Sequence, residues 1–174
     1  MKKNTYLCRE NNQKQWIAMN EKIQIDIYKG LPMILEKVKS VALSAVIGKS
    51  NAWLNNKLNR YTLNSKEYAF TENDLPLINR GLESLGSEIA QSMIQFGEDR
   101  DAVIDQAKDL SSYVVMPYIC EKVMGKSARW CQSRMARRAP GKKACSFKEE
   151  DILQINMVAM QIANELRSIE FVLK

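Results

Sequence analysis

Histidine is missing altogether from the 174 residues. Its absence removes the commonest general base and the commonest metal ligand. The four cysteines, Cys8, Cys120, Cys131 and Cys145, include no CxxC pair and match no zinc spacing. They read as reduced, structural thiols of a cytoplasmic protein. No run of about 18 or more apolar residues is present, so no membrane span is expected. The opening MKKNTYLCRENNQKQW has two lysines but no apolar stretch behind them, and does not read as a secretory signal. With no histidine, metal cluster or paired nucleophile and base, the chain reads as a non-enzyme without a cofactor.

What remains is ordinary globular composition, 45% apolar and 26% charged, enough for one domain or two small ones. The net charge of +6 leans toward a polyanionic partner. The distinctive feature is a repetition. GKSNAW at 48–53 returns as GKSARW at 125–130, an offset of 77. Held at that offset, 10 of the 31 positions from 45 to 75 are identical: Val46, Gly48, Lys49, Ser50, Trp53, Arg60, Lys66, Phe70, Glu72 and Asp74. A gapless match of this length indicates two versions of one unit. The expected organisation is an N-terminal arm and helix over 1–35 and a first unit over 36–97. Residues 98–174 hold a linking helix and the second unit, which begins near 111.

Both units follow the same local grammar. VKSVALSAVI has helical apolar spacing, Gly48 breaks it, and Ser50 can cap a new helix, NAWLNNKLNR. YTLNSKEYA then suits a small hairpin turning at Asn64-Ser65. Phe70-Thr71-Glu72-Asn73-Asp74-Leu75 reads as a helix start with Thr71 as cap and Asp74 at the capping-box position. The helix that follows is expected to run to about Phe96. In the second unit Pro117 opens PYICEKVM, Gly125 ends it, and Ser127 caps ARWCQSRMARR. APGKKAC is a turn, and a last helix is expected from Lys148 to Phe171 with Ile152, Ile155, Ala159, Ile162, Leu166 and Ile169 inward. EDRDAVIDQAKDLSS reads as a polar linking helix. The fold class is all-α, with at most a short hairpin in each unit.

Gly-Lys-Ser invites a phosphate-loop reading, but that motif needs a glycine five residues earlier and a preceding strand. Leu43 and Cys120 occupy those places. A helix-turn-helix fits better: a short helix, a tight turn at glycine, and a recognition helix. Trp53, Leu54 and Leu58 lie on one face of that helix, and Trp130, Cys131 and Met135 repeat the pattern. The tryptophans read as core anchors rather than base-stacking platforms. The opposite faces carry Ser50, Asn51, Asn55, Asn56 and Asn59 in one unit, and Ser127, Arg129, Gln132 and Ser133 in the other. Asn and Gln pair with adenine, and Arg with guanine, in the major groove; a solvated face is the plain alternative. Ser50 and Ser127 are caps first, with phosphate contact at the helix start in addition.

Charge is segregated along the chain. Lys122, Lys126, Arg129, Arg134, Arg137, Arg138, Lys142, Lys143 and Lys148 fall within 122–148, where no acidic residue occurs. That block coincides with the second Gly-Lys-Ser, as a nucleic-acid face requires. Base reading is expected from Asn51, Asn55, Arg129 and Gln132. Phosphate neutralisation is expected from Lys49, Lys57, Arg60, Lys126, Arg134, Arg137, Arg138, Lys142 and Lys143.

GKSNAWLNNKLNR, NSK and FTENDL together resemble a family of small, uncharacterised helix-turn-helix-like proteins from Bacteroidota and their phages, which show GKSxxWLxxRL, NGK and FT before an acidic helix start. GKSARWCQSRMAR, PGKK and FKEED resemble it in degraded form. The resemblance implies a helical fold and DNA binding, and no reaction. The second unit departs from the standard motif at Glu121. The 77-residue offset places it opposite Ser44, where a small residue is usual. The chain therefore reads as a tandem helix-turn-helix pseudo-dimer, a phage or mobile-element regulator of transcription that contacts duplex DNA, with homodimerisation open. The alternative is a helical protein-interaction module, such as a virion protein or an inhibitor of a host factor.

Overall fold

IQIDI decides how the structure begins. In the computed structural model, which describes residues 22–136 and 145–174, the alternating isoleucines form strand β1 (Ile23–Asp26). Asp26 then accepts from the Tyr28 amide at 2.8 Å and starts α1 (Ile27–Leu35). Among the described residues the helix expected within 1–35 begins at Ile27, and Ile23–Asp26 before it are extended; residues 1–21 lie outside the described residues. α2 (Ser40–Val46) and α3 (Asn51–Leu58) flank the first Gly-Lys-Ser. The short strands β2 (Thr62–Leu63) and β3 (Lys66–Glu67) make the expected hairpin. Its turn has φ of 50° at Asn64 and 62° at Ser65, the paired positive values of a tight two-residue hairpin turn. α4 (Leu75–Gln91), α5 (Arg100–Tyr113), a π-helical segment (Tyr118–Val123), α6 (Ala128–Met135) and α7 (Glu149–Ser168) follow. The chain ends in β4 (Ile169–Val172).

Among the described residues the protein is mostly helical, with two small strand pairs. The second pair was not foreseen: β1 lies parallel to β4, with Ile23 opposite Ile169 and Asp26 opposite Val172. Parallel strands need a long crossover, and here nearly the whole chain supplies it. α7 consequently stops at Ser168, not at Phe171, because the β-branched Ile169 and Val172 flank a pairing edge. α4 likewise stops at Gln91 rather than near Phe96. The linking helix is not simply polar either. α5 buries Val103, Ile104, Ala107 and Leu110.

α4 and α7 pack against each other at the centre. Ile78, Leu82, Leu85 and Ile89 meet Ile155, Ala159, Ile162 and Leu166, all within the buried core. The backbones approach closely at Gly86, where an added Cβ would lie 2.7 Å from the Ala163 carbonyl oxygen. Gly86 and Ala163 are 77 positions apart. The same spacing recurs in a pair of reciprocal contacts. Asn79 of α4 donates to the Phe171 carbonyl at 3.1 Å and accepts from the Phe171 amide at 2.8 Å. Asn156 of α7 does the same to Ile94, at 2.7 and 2.9 Å. Adding 77 to Asn79 and Ile94 gives Asn156 and Phe171, so each half clamps the tail of the other at matching positions.

Upstream of the turns the correspondence is 76 residues, not 77. Buried Ile27, Leu31, Ile34 and Val38 match buried Val103, Ala107, Leu110 and Val114. Val38 and Val114 form an antiparallel bridge, flanked by Lys39 N–H to Tyr113 O and Val115 N–H to Lys37 O, both at 2.8 Å. Lys37 reaches Glu165 at 2.6 Å, and at the matching place Tyr113 reaches Glu88 at 3.5 Å. The π-helical segment absorbs the one-residue difference. In α2 the Ile47 amide bonds to Leu43 O and Lys49 to Ser44 O. In the second half Met124 bonds to Ile119 O and Lys126 to Cys120 O, each spanning one residue more. Cys120, fully buried, therefore takes the place of buried Ser44. This corrects the sequence alignment that set Glu121 there. Glu121 is exposed, and its carboxylate accepts from the Ala128 amide at 3.0 Å.

Candidate nucleic-acid interface

Each Gly-Lys-Ser is built alike. Gly48 has φ of 66° and Gly125 of 63°, a left-handed conformation that side chains resist. The serines then cap: Ser50 Oγ accepts from the Trp53 amide and Ser127 Oγ from the Trp130 amide, both at 3.1 Å. The tryptophans anchor the helices edge-on. Trp53 meets Phe70 at 6.1 Å and 73°, and Trp130 meets Phe147 at 5.9 Å and 74°. Leu54 and Cys131 fill the buried side of α3 and α6. Cys131 Sγ donates to Met135 Sδ at 3.6 Å, and the neighbouring Cys131 thiol together with burial pushes the Cys120 thiol well above the usual range. The pair thus acts as packing between the π-helical segment and α6.

The expected site residues divide by what already holds them. Lys49, Ser50, Lys126, Ser127, Arg129 and Gln132 are exposed, and Asn55 is half-buried. Lys49 and Lys126 lie at matching places near the tryptophan rings, 5.8 and 5.9 Å from the centroids. Among the described residues none of Lys49, Lys126 and Arg129 forms an ion pair. Lys57, by contrast, donates to the Ala69 carbonyl at 2.7 Å and pairs with Asp74 at 2.8 Å. Arg60 stacks on Tyr28 at 4.2 Å and faces Glu67 at 3.8 Å. Arg134 stacks on Trp130 at 4.0 Å. Asn51 is half-buried and its Oδ1 is sequestered without a partner. Arg137, Arg138, Lys142 and Lys143 lie outside the described residues, as does Cys8.

The hairpin beside α3 is expected from the sequence, but none of its residues is among the expected site residues. Tyr61, Leu63 and Tyr68 are all exposed there, and Lys66 sits at the turn end of β3. The identity of Lys66 with Lys143 at the 77-residue offset was the available signal.

Asp74 ties α3 to α4. It accepts from Lys57 and from the Thr71 amide and hydroxyl, at 2.7–2.8 Å. The Thr71–Asp74 contact of the expected capping box is therefore present, but Asp74 and not Thr71 is the N-cap of α4: Thr71–Asp74 closes as a turn, with the Asp74 amide donating to the Thr71 carbonyl at 2.9 Å, and the helix begins only at Leu75. Burial pushes the Asp74 carboxyl up, but the hydrogen bonds from Lys57 and Thr71 outweigh it and leave the group below its ordinary 3.8. A lowered folded-state value stabilises the fold fully above the ordinary value, and this contribution is lost as pH falls through the lowered one. Wild-type stability should therefore decline below about pH 4, and Asp74→Asn should flatten that decline. Urea titrations of both proteins between pH 2.5 and 7 check this; parallel curves would count against the pair.

Residues 29–96 match the model of a family described as a domain of unknown function (DUF5053). The match runs from α1 past the end of α4, well under half of the chain, and covers the first Gly-Lys-Ser but not the second. No curated protein and no solved structure matches the chain. No helix among the described residues is long and apolar enough to cross a membrane.

Proposed function

We propose that this protein binds duplex DNA through α3 and α6, as two helix-turn-helix units of one chain packed as a pseudo-dimer. The observation that carries the reading is the matched exposure of the two helices. Each turns a capped, polar outer face to solvent at positions 77 apart, while its tryptophan face is committed to the core. The reciprocal Asn79 and Asn156 clamps support a pseudo-two-fold relation between the units. Repressor dimers use such a relation to reach successive major grooves, about 34 Å apart.

Within this reading Asn55, Gln132 and Arg129 read base edges, the two middle positions matching each other across the units. Lys49, Lys126 and the helix starts at Ser50 and Ser127 take phosphates. Lys57, Arg60 and Arg134 serve by holding the helices in place, since their partners occupy them. The ribbon with Lys66 lies next in sequence to α3 and adds a backbone contact.

Charge reversal tests the proposal. Lys126→Glu with Arg129→Glu should weaken duplex binding roughly 10–100-fold at low salt and flatten its salt dependence. Lys49→Glu reports the first unit in the same way. Electrophoretic shifts at two salt concentrations, with circular dichroism to confirm folding, measure both. Unchanged affinity in folded variants would remove α3 and α6 from the interface. A second reading, docking of a protein partner, draws on the exposed stripe Leu153, Met157 and Met160 of α7. Under it, no variant changes duplex affinity, because none exists to change.

A further inference from the structure

The two halves differ most plainly around their matched phenylalanines. Over Phe70 sits Tyr28. The rings are 5.5 Å apart, and the Tyr28 hydroxyl accepts from the Phe70 amide at 2.7 Å. At the matching place, 76 residues on, stands Ile104, which has neither the ring nor the hydroxyl. Beside Phe147 there is instead a cavity of about 230 Å³. Val103, Ile104, Phe96 and Phe147 form its apolar wall, with Arg100 and Ser146 among the polar neighbours.

The cavity has room and chemistry for what Ile104 lacks. An apolar cavity of about 150 Å³ already suffices for a benzene ring. Two of the lining residues, Phe147 and Arg100, carry a donor. Among the described residues nothing accepts from the Phe147 amide, and Arg100 Nε is buried without a partner. Leaving such groups unpaired costs free energy that an incoming acceptor recovers. A hydroxyl oxygen on an aromatic ring supplies that acceptor where Tyr28 supplies it in the first half. We infer that the cavity beside Phe147 binds a phenol ring, with the ring against Phe147 and Ile104 and the oxygen toward the Phe147 amide and Arg100. The inference does not depend on DNA binding.

The probe is 4-ethylphenol, titrated into the isotope-labelled full chain and followed by NMR. Saturable shifts at the Ile104 methyls and the Phe147 amide are expected, with a Kd on the order of 1 mM for so small a molecule. Toluene, which lacks the acceptor, should bind at least about tenfold more weakly. Ile104→Tyr supplies the ring internally and should abolish probe binding. Should that variant fail to fold, the shift map on the wild-type protein still decides. N-acetyltyrosinamide separates two sources of the ring. Binding with the same shifts assigns the site to a tyrosyl side chain, and binding of 4-ethylphenol alone assigns it to a free phenol. Either outcome supports the inference. Absence of saturable shifts at Ile104 and Phe147, equal affinity for toluene, or unchanged affinity in folded Ile104→Tyr would overturn it.

Discussion

Asn156→Leu should lower the unfolding free energy by about 2–4 kcal/mol. Leucine keeps the volume but can neither donate to the Ile94 carbonyl nor accept from its amide, so both backbone groups lose their partner. Ile94 is buried, which limits rescue by water. Each stranded group costs about 1–3 kcal/mol, and leucine's own burial offsets part of the sum. Asn79→Leu should behave alike through Phe171, and the double variant should lose about 4–8 kcal/mol, enough to unfold a protein at the low end of the usual range of about 5–15 kcal/mol. Asn164→Leu, at an exposed place on the same helix, is the control and should stay within about 0.5 kcal/mol. Urea denaturation of the four variants beside the wild type measures this. If Asn156→Leu matches the control, the reciprocal clamps do not hold the halves together.

Gly86→Val should cost a comparable amount by a different route. Its Cβ would lie 2.7 Å from the Ala163 carbonyl oxygen, a distance that side chains do not tolerate against backbone. α4 and α7 must therefore separate, loosening the central contact of the core. Overpacking of this kind costs about 1–3 kcal/mol. Movement there also disturbs the bond from Arg167 to the Gly86 carbonyl, 3.3 Å long. The better helix propensity of valine returns only a few tenths of a kcal/mol. Gly97→Val, where nothing lies within 4 Å, should be nearly neutral. The midpoint of unfolding should fall for Gly86→Val with an unchanged denaturant slope. A neutral Gly86→Val would mean the helices cross elsewhere.

The sequence made the local rules legible. The serine caps, the turn glycines, the Asn64-Ser65 hairpin and the inward face of α7 follow from side-chain chemistry within a few residues. Long-range pairing was not legible. β1 and β4 meet from opposite ends of the chain, and nothing in IQID or IEFV names its partner. The extra residue before Gly125 left no gap in the turn itself, because the π-helical segment takes it up; so Glu121 was aligned where Cys120 belongs. Lys57 and Arg60 read as free cations because Asp74 and Tyr28, their partners, lie 17 and 32 positions away. Asn79 and Asn156 were visible as an identity at the 77-residue offset, four residues past the stretch compared. Only the fold shows that each binds the other half.

The central claim is that α3 and α6 present two reading surfaces to one duplex. Footprinting on a site selected from random-sequence DNA tests it most directly. Two protected major-groove segments centred about 10 base pairs apart are predicted, one lost on Lys49→Glu and the other on Lys126→Glu with Arg129→Glu. A single protected segment, or none from a folded protein at low salt, would contradict it.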